Sequence, residues 1–117
     1  RQMDKRRLIE EALAEEEVEE CIILDGLDSA IVGIGSQYGK PTLVIYDEEL
    51  IINTLVADQG MKYDEAWEYY EFNIKQAYYG EGTPIIMRST DLMAEYFGFN
   101  NADMLTDEEY NARKAVG

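Results

Sequence analysis

The sequence predicts an α+β fold: a three-stranded, mainly antiparallel sheet covered by a helical pair, with helical appendages at both ends. Three observations carry this. Two β-rich runs, over about 29–37 and 42–46, flank the turn signal Tyr38-Gly39-Lys40-Pro41 and read as a hairpin. Two helical stretches follow with almost no link between them. In the second, Tyr63, Trp67, Tyr70, Ile74 and Ala77 recur at four- and three-residue steps, the period of one buried helical face. Ile85-Ile86-Met87 then supplies a third strand. So short a link between the first two strands allows only antiparallel pairing. The order divides the chain into a charged helical arm at 1–21, an α+β core at 22–88 and a helical appendage at 89–117.

The arm is rich in Glu, Ala, Leu, Arg and Lys, which favour helix. Leu8 and Ala12 share one face and Ile9 and Leu13 another, so its apolar stripe is short. Cations come first and acids last, against the macrodipole. The expectation is a marginal helix, solvated or docked on a partner, including a second copy of the chain.

Beyond the arm, Gly33 and Gly35 alternate on the first strand and permit close backbone approach. Asp47 is placed to cap the next helix, with Glu48 and Glu49 in its first turn, where acids suit the dipole. Leu50, Ile51, Leu55 and Val56 run along it, and Gly60 ends it. The following helix is expected to continue to Tyr79-Gly80. Asp64, Glu68, Glu71 and Lys75 line its outer face. Thr90 is expected to cap a short helix whose apolar side carries Leu92, Met93, Tyr96 and Phe97. Thr106-x-x-Glu109 has the form of a capping box opening a last helix.

Composition excludes several classes of function. The 117 residues hold 10 Lys plus Arg, 25 Asp plus Glu and no His, for a net charge of −15. Without His there is no Ser-His-Asp triad, no Cys-His dyad and no His-ligated metal. One cysteine, Cys21, permits no intrachain disulfide and fits a reducing compartment. Such an acidic chain is repelled by phosphate backbones and anionic lipid, so neither nucleic acid nor membrane is an expected partner. No apolar segment follows the basic start as in a signal peptide, and a cytoplasmic protein is expected. The charge is uneven. Arg1, Lys5, Arg6 and Arg7 outweigh Asp4 at 1–9, whereas 10–20 carries Glu10, Glu11, Glu15, Glu16, Glu17, Glu19 and Glu20.

Asp25-Gly-x-Asp28-Ser29 offers two carboxylates and a hydroxyl, a weak candidate for a hard cation. The further oxygen ligands of a calcium loop are missing, and Asp beside Gly more often makes turn hydrogen bonds. Gly33-x-Gly35 lacks the third glycine and the following helix of a dinucleotide loop. Glu16-x-x-Glu19 and Glu68-x-x-Glu71 each put two carboxylates on one helical face, as Mg²⁺-dependent nucleotide hydrolases can; solvated surface is the simpler reading. Nine tyrosines are present. Tyr69, Tyr78 and Tyr79 cannot all lie on the Trp67 stripe, and exposed Tyr beside carboxylates suits a protein interface.

One resemblance spans about residues 24–87. Its motifs are Asp25-Gly26-Leu27-Asp28-Ser29-Ala30-Ile31-Val32-Gly33-Ile34, Tyr46-Asp47, Gly60-Met61-Lys62-Tyr63-Asp64-Glu65-Ala66, Glu71-Phe72-Asn73 and Gly80-Glu81-Gly82-Thr83-Pro84. In these the chain resembles small acidic proteins of bacteriophage type that have no assigned activity. It departs from their pattern at Lys62, where a capping Thr or Ser is usual. The resemblance implies a viral accessory protein in the host cytoplasm and supplies no chemistry. Glu71 and Asn73 are the polar residues of the shared part that stand out.

The expected function is therefore binding, and inhibition, of a basic host protein, with nucleic-acid mimicry as one mode. The expected interface is Glu15, Glu16, Glu19, Glu20, Glu48, Glu49, Asp64, Glu68, Glu71 and Tyr69, with no catalytic residue and no cofactor. Two alternatives stand beside it. One is a carboxylate- and Mg²⁺-dependent nucleotide or phosphate hydrolase using Asp25, Asp28, Glu68 or Glu71. The other is a structural subunit, a homo-oligomer through the arm included.

Overall fold

The computed structural model describes residues 4–99 and 105–116. The chain forms two compact units, Arg1–Met87 and Arg88–Gly117.

The first unit begins with α1, Lys5–Glu15, capped by Asp4, whose carboxylate accepts from the Arg7 N–H at 2.8 Å. The expectation of a solvated, marginal arm is corrected. Ile9 and Leu13 are buried in the same apolar core as the sheet, and Leu8 is the exposed one. Lys5 Nζ donates to the Ser29 and Ile31 carbonyls at 3.0 Å each. Tertiary packing thus stabilises a helix whose dipole disfavours it. Its C-terminus is a Schellman turn. The Val18 N–H reaches the Leu13 carbonyl at 3.0 Å, and the Glu17 N–H reaches Ala14 at 3.1 Å. Glu17 adopts a left-handed φ of 58° there, a conformation that usually falls to Gly.

The connecting chain lies against the loop before the third strand, with the Ile22 N–H on the Gly82 carbonyl at 3.0 Å. A Cβ on Gly82 would stand 1.5 Å from the Glu20 carbonyl oxygen, so only glycine fits. A 3₁₀ turn, Asp28–Ala30, leads into β1, Ile31–Gly35, shorter than the expected 29–37. β1 pairs antiparallel with β2, Leu43–Asp47, from Ile31↔Tyr46 to Gly35↔Leu43, and the register shifts between Ile31 and Gly33. The close approach of another backbone or helix expected at both glycines is corrected: what a Cβ on Gly35 would meet is the Ile45 side chain, with Cδ1 at 2.7 Å, and Gly33 faces open space.

Asp47 caps α2, Glu48–Gln59, accepting from the Glu49 and Leu50 N–H groups at 2.8 and 3.2 Å. Ile51, Ile52 and Leu55 are buried, and the chain leaves α2 at Gly60 with φ 69°. α3, Tyr63–Tyr70, follows. At Lys62 the side chain is an ammonium and cannot accept the capping bond, but Glu65 Oε1 accepts the Lys62 N–H at 3.0 Å. The expected single long helix is corrected. After Tyr70 the chain widens into a π turn, Glu71–Lys75, that ends at Gln76. The stripe changes with it: Ala66 and Tyr70 are buried, Trp67 and Ile74 are half-buried against the core, and Tyr63 is exposed. β3, Ile85–Met87, returns beside β2 in parallel, Ile45↔Ile85 to Asp47↔Met87. The sheet order is β1-β2-β3. The α2–α3 crossover between β2 and β3 is the length that parallel pairing needs. The α+β class and the mainly antiparallel sheet are as the sequence predicts, with the added β2–β3 parallel pair.

In the second unit, α4, Thr90–Tyr96, is capped by Ser89 rather than Thr90: Ser89 Oγ accepts the Leu92 N–H at 3.1 Å. Gly98, at φ 81°, closes a Schellman turn with the Phe99 N–H on the Ala94 carbonyl at 2.7 Å. The expected apolar side is corrected too. Tyr96 and Phe97 are exposed and meet edge to face at 5.1 Å, while Ala94 is the buried residue. α5, Asp107–Val116, opens on the predicted capping box. Thr106 Oγ1 accepts the Glu109 N–H, and Glu109 Oε1 accepts the Thr106 N–H, both at 3.1 Å. The Thr106 N–H, and then the Thr106 hydroxyl, hold the Glu109 carboxyl below its usual range.

Candidate functional site

The predicted interface residues fall into three groups. Glu15, Glu16, Glu19 and Glu20 are exposed at the end of α1 and beyond it. They do not form a helical row, because α1 ends at Glu15 and the chain reverses at Glu17. Glu16 accepts a hydrogen bond from Thr42 Oγ1 at 3.0 Å instead. Glu48 is a correction. It is 3% exposed, and Glu48 Oε2 accepts the Tyr70 hydroxyl at 2.5 Å. The first turn of α2 faces the α3 stripe at that position, so the carboxylate belongs to the core and not to the surface. Glu49 is exposed beside it.

The third group lies on α3 and the π turn that follows it. Asp64, Glu68 and Tyr69 are exposed, and Glu71 is partly so. Glu71 pairs with Lys75 at 3.6 Å. Glu68 and Tyr69 surround an open depression of about 320 Å³ together with Glu65, Phe72 and Asn73. Asn73 Nδ2 donates to the Tyr69 carbonyl at 3.1 Å across the π turn, which holds the amide at the rim. Tyr69 and Asn73 also border a second, narrower cleft of about 190 Å³ that reaches Asp25, Gln59 and Tyr79. Glu65 and Phe72, which line the same depression, are not among the interface residues the sequence predicts. Their signal was in the sequence, since 65, 68, 69, 72 and 73 follow helical spacing, but the core stripe of the same helix masked it.

The cation candidates are already served. Arg6 Nη1 lies 3.3 Å from Asp25 Oδ1 and 3.5 Å from Asp28 Oδ1, and Arg6 Nε lies 3.7 Å from Glu10. Desolvation works against the Arg6 charge, but Asp28, Asp25 and Glu10 outweigh it and raise its pKa. Ser29 Oγ shares a hydrogen bond with Thr54 Oγ1 at 2.8 Å. A guanidinium therefore occupies the position that a hard cation would take between these carboxylates. Among the described residues no group of three or more Asp, Glu, Cys or His side chains is arranged to hold a metal ion. Glu68 and Glu71, the other candidates for a metal-dependent hydrolase, belong to no such group, and Glu71 pairs with Lys75.

Among the described residues no helix is long and apolar enough to cross a membrane. No family model matches the chain, and no curated protein or solved structure matches it either.

Proposed function

We propose that this chain is a small acidic accessory protein, of bacteriophage type, that binds a basic host protein and blocks the surface it covers. The observation that supports this best is how Lys5, Arg6, Arg7 and Lys75 are engaged within the chain. Arg6, Arg7 and Lys75 are paired with carboxylates of the same chain, and Lys5 is turned onto backbone carbonyls. Glu15, Glu19, Glu20, Glu49, Asp64 and Glu68 are left exposed to solvent. With a net charge of −15, such a surface steers cationic partners and makes their association fast and salt-sensitive. The motif string over 24–87 supports the phage-type assignment. Inhibition would follow if the covered surface is one the partner uses for nucleic acid.

The test immobilises the full chain and captures host proteins across a salt gradient. A neutralised variant, with Gln replacing Glu15, Glu19, Glu20, Glu49 and Glu68, runs alongside. The expected result is one or a few basic proteins that elute as salt rises and are weakly retained by the variant. Bound proteins no more basic than the lysate average, or retained equally by the variant, overturn the proposal.

A further inference from the structure

The outer face of α3 and its π turn combines features that charge alone does not explain. Glu65, Glu68, Tyr69, Phe72 and Asn73 have the spacing of a buried stripe, yet they surround an open depression. Phe72 is 69% exposed and Tyr69 is 42% exposed, while the true core residues of α3 are Ala66 and Tyr70. Two aromatic rings thus stand in water between carboxylates. Among the described residues no cation pairs with Glu65 or Glu68, whereas Glu10, Glu11 and Glu71 each have one. Glu65 is fixed by the Lys62 N–H and Asn73 by the Tyr69 carbonyl, so much of the rim is set before any ligand arrives.

Resting on the basic-partner reading, we infer that this depression seats an arginine side chain of the partner. A guanidinium is planar and weakly hydrated. It stacks on an aromatic face while its N–H fork meets a carboxylate. Phe72 and Tyr69 offer the faces, and Glu68 and Glu65 offer the charge. A phosphate or a lipid headgroup is repelled by the same two carboxylates. A second copy of the chain brings another −15 and is repelled as well. The adjoining cleft shares Tyr69 and Asn73 and reaches Asp25 and Gln59. It gives the residues flanking the arginine polar groups to meet.

The experiment titrates the full chain by calorimetry with two peptides of equal length and charge. One carries arginines and the other has lysine at each of those positions. The arginine peptide is expected to bind tighter, by up to about fivefold, the upper end of an exposed cation–π contact of which a lysine ammonium makes only part. Phe72→Ala removes that preference. Glu68→Gln weakens both peptides more than Glu19→Gln does. Phe72 is largely exposed, so its truncation leaves the core intact, and circular dichroism verifies this. Equal binding of the two peptides by the parent chain, an arginine preference that survives Phe72→Ala, or equal losses at Glu19 and Glu68 overturns the inference and leaves the basic-partner reading standing. Binding of neither peptide removes both.

Discussion

Tyr46 shows how one side chain ties β2 to the connecting chain. It is fully buried on β2, and its hydroxyl oxygen accepts the Leu24 N–H at 2.8 Å. Burial pushes the phenol above its ordinary 10.0, and the Leu24 N–H pulls it back only partly. The unfolded chain therefore loses this proton first as pH rises. Stability from Tyr46 is full below pH 10.0 and falls in the window between that value and the raised native one. Tyr46→Phe strands the Leu24 N–H without an acceptor, which costs about 1–3 kcal/mol. Denaturant unfolding at neutral pH reads that loss, and the same titration in alkali should show a shallower decline than the parent. A variant as stable as the parent, declining as steeply, refutes this account. Glu48 and Tyr70 make a similar point about residue identity. A carboxylate in a run of acids looks like surface, but its burial is decided by the helix opposite, which no local pattern reports.

At the scale of elements, α1 separates the two readings of its sequence. As a solvated arm it would tolerate change anywhere; docked, it has one sensitive face. Leu13→Ala empties a buried site and should destabilise by about 2–5 kcal/mol. Leu8→Ala, on the exposed face, should stay within about 0.5 kcal/mol. Urea unfolding of the two variants compares them directly, and equal, small effects would return α1 to solvent. Much of the fold is legible in the sequence because its signals are local. The turn at Gly39-Lys40, the Asp47 cap, Gly60 and the Thr106–Glu109 box each depend on residues within a few positions. What is not legible depends on distant partners. The π turn after Tyr70 carries no Pro or Gly to announce it. Gly82 reads as a loop glycine, and only the Glu20 carbonyl beside it explains it. The parallel seat of β3 follows from the crossover, not from its own three residues. The candidate site was half visible for the same reason. Glu68 and Tyr69 stand out in the sequence as exposed types, while nothing local marks Phe72 as exposed, which it is at 69%.

At the scale of the whole molecule, attraction and repulsion between charges compete. Ion pairs at Arg6, Arg7 and Lys75 favour the folded chain, but their partners are about two-fifths to nearly fully exposed, and such pairs contribute about 0–1 kcal/mol each. Against them stands the self-repulsion of the carboxylates that make up a net −15, which destabilises the folded state. Added salt screens both, with a Debye length near ~10 Å at about 0.1 M. Exposed pairs at contact lose little that they had, whereas repulsion summed over many more distant carboxylates is largely removed. Repulsion therefore outweighs the pairs, and salt should stabilise this protein. Thermal unfolding in rising sodium chloride should raise Tm by at least about 4 °C, the shift that roughly 1 kcal/mol produces in a domain of this size. On the proposed reading the same salt should release a basic partner, so stability and binding would move in opposite directions along one titration. A Tm that stays flat or falls would mean that the internal pairs, not the excess carboxylates, dominate the electrostatics. The exposed acids would then have no unbalanced field with which to draw a partner in.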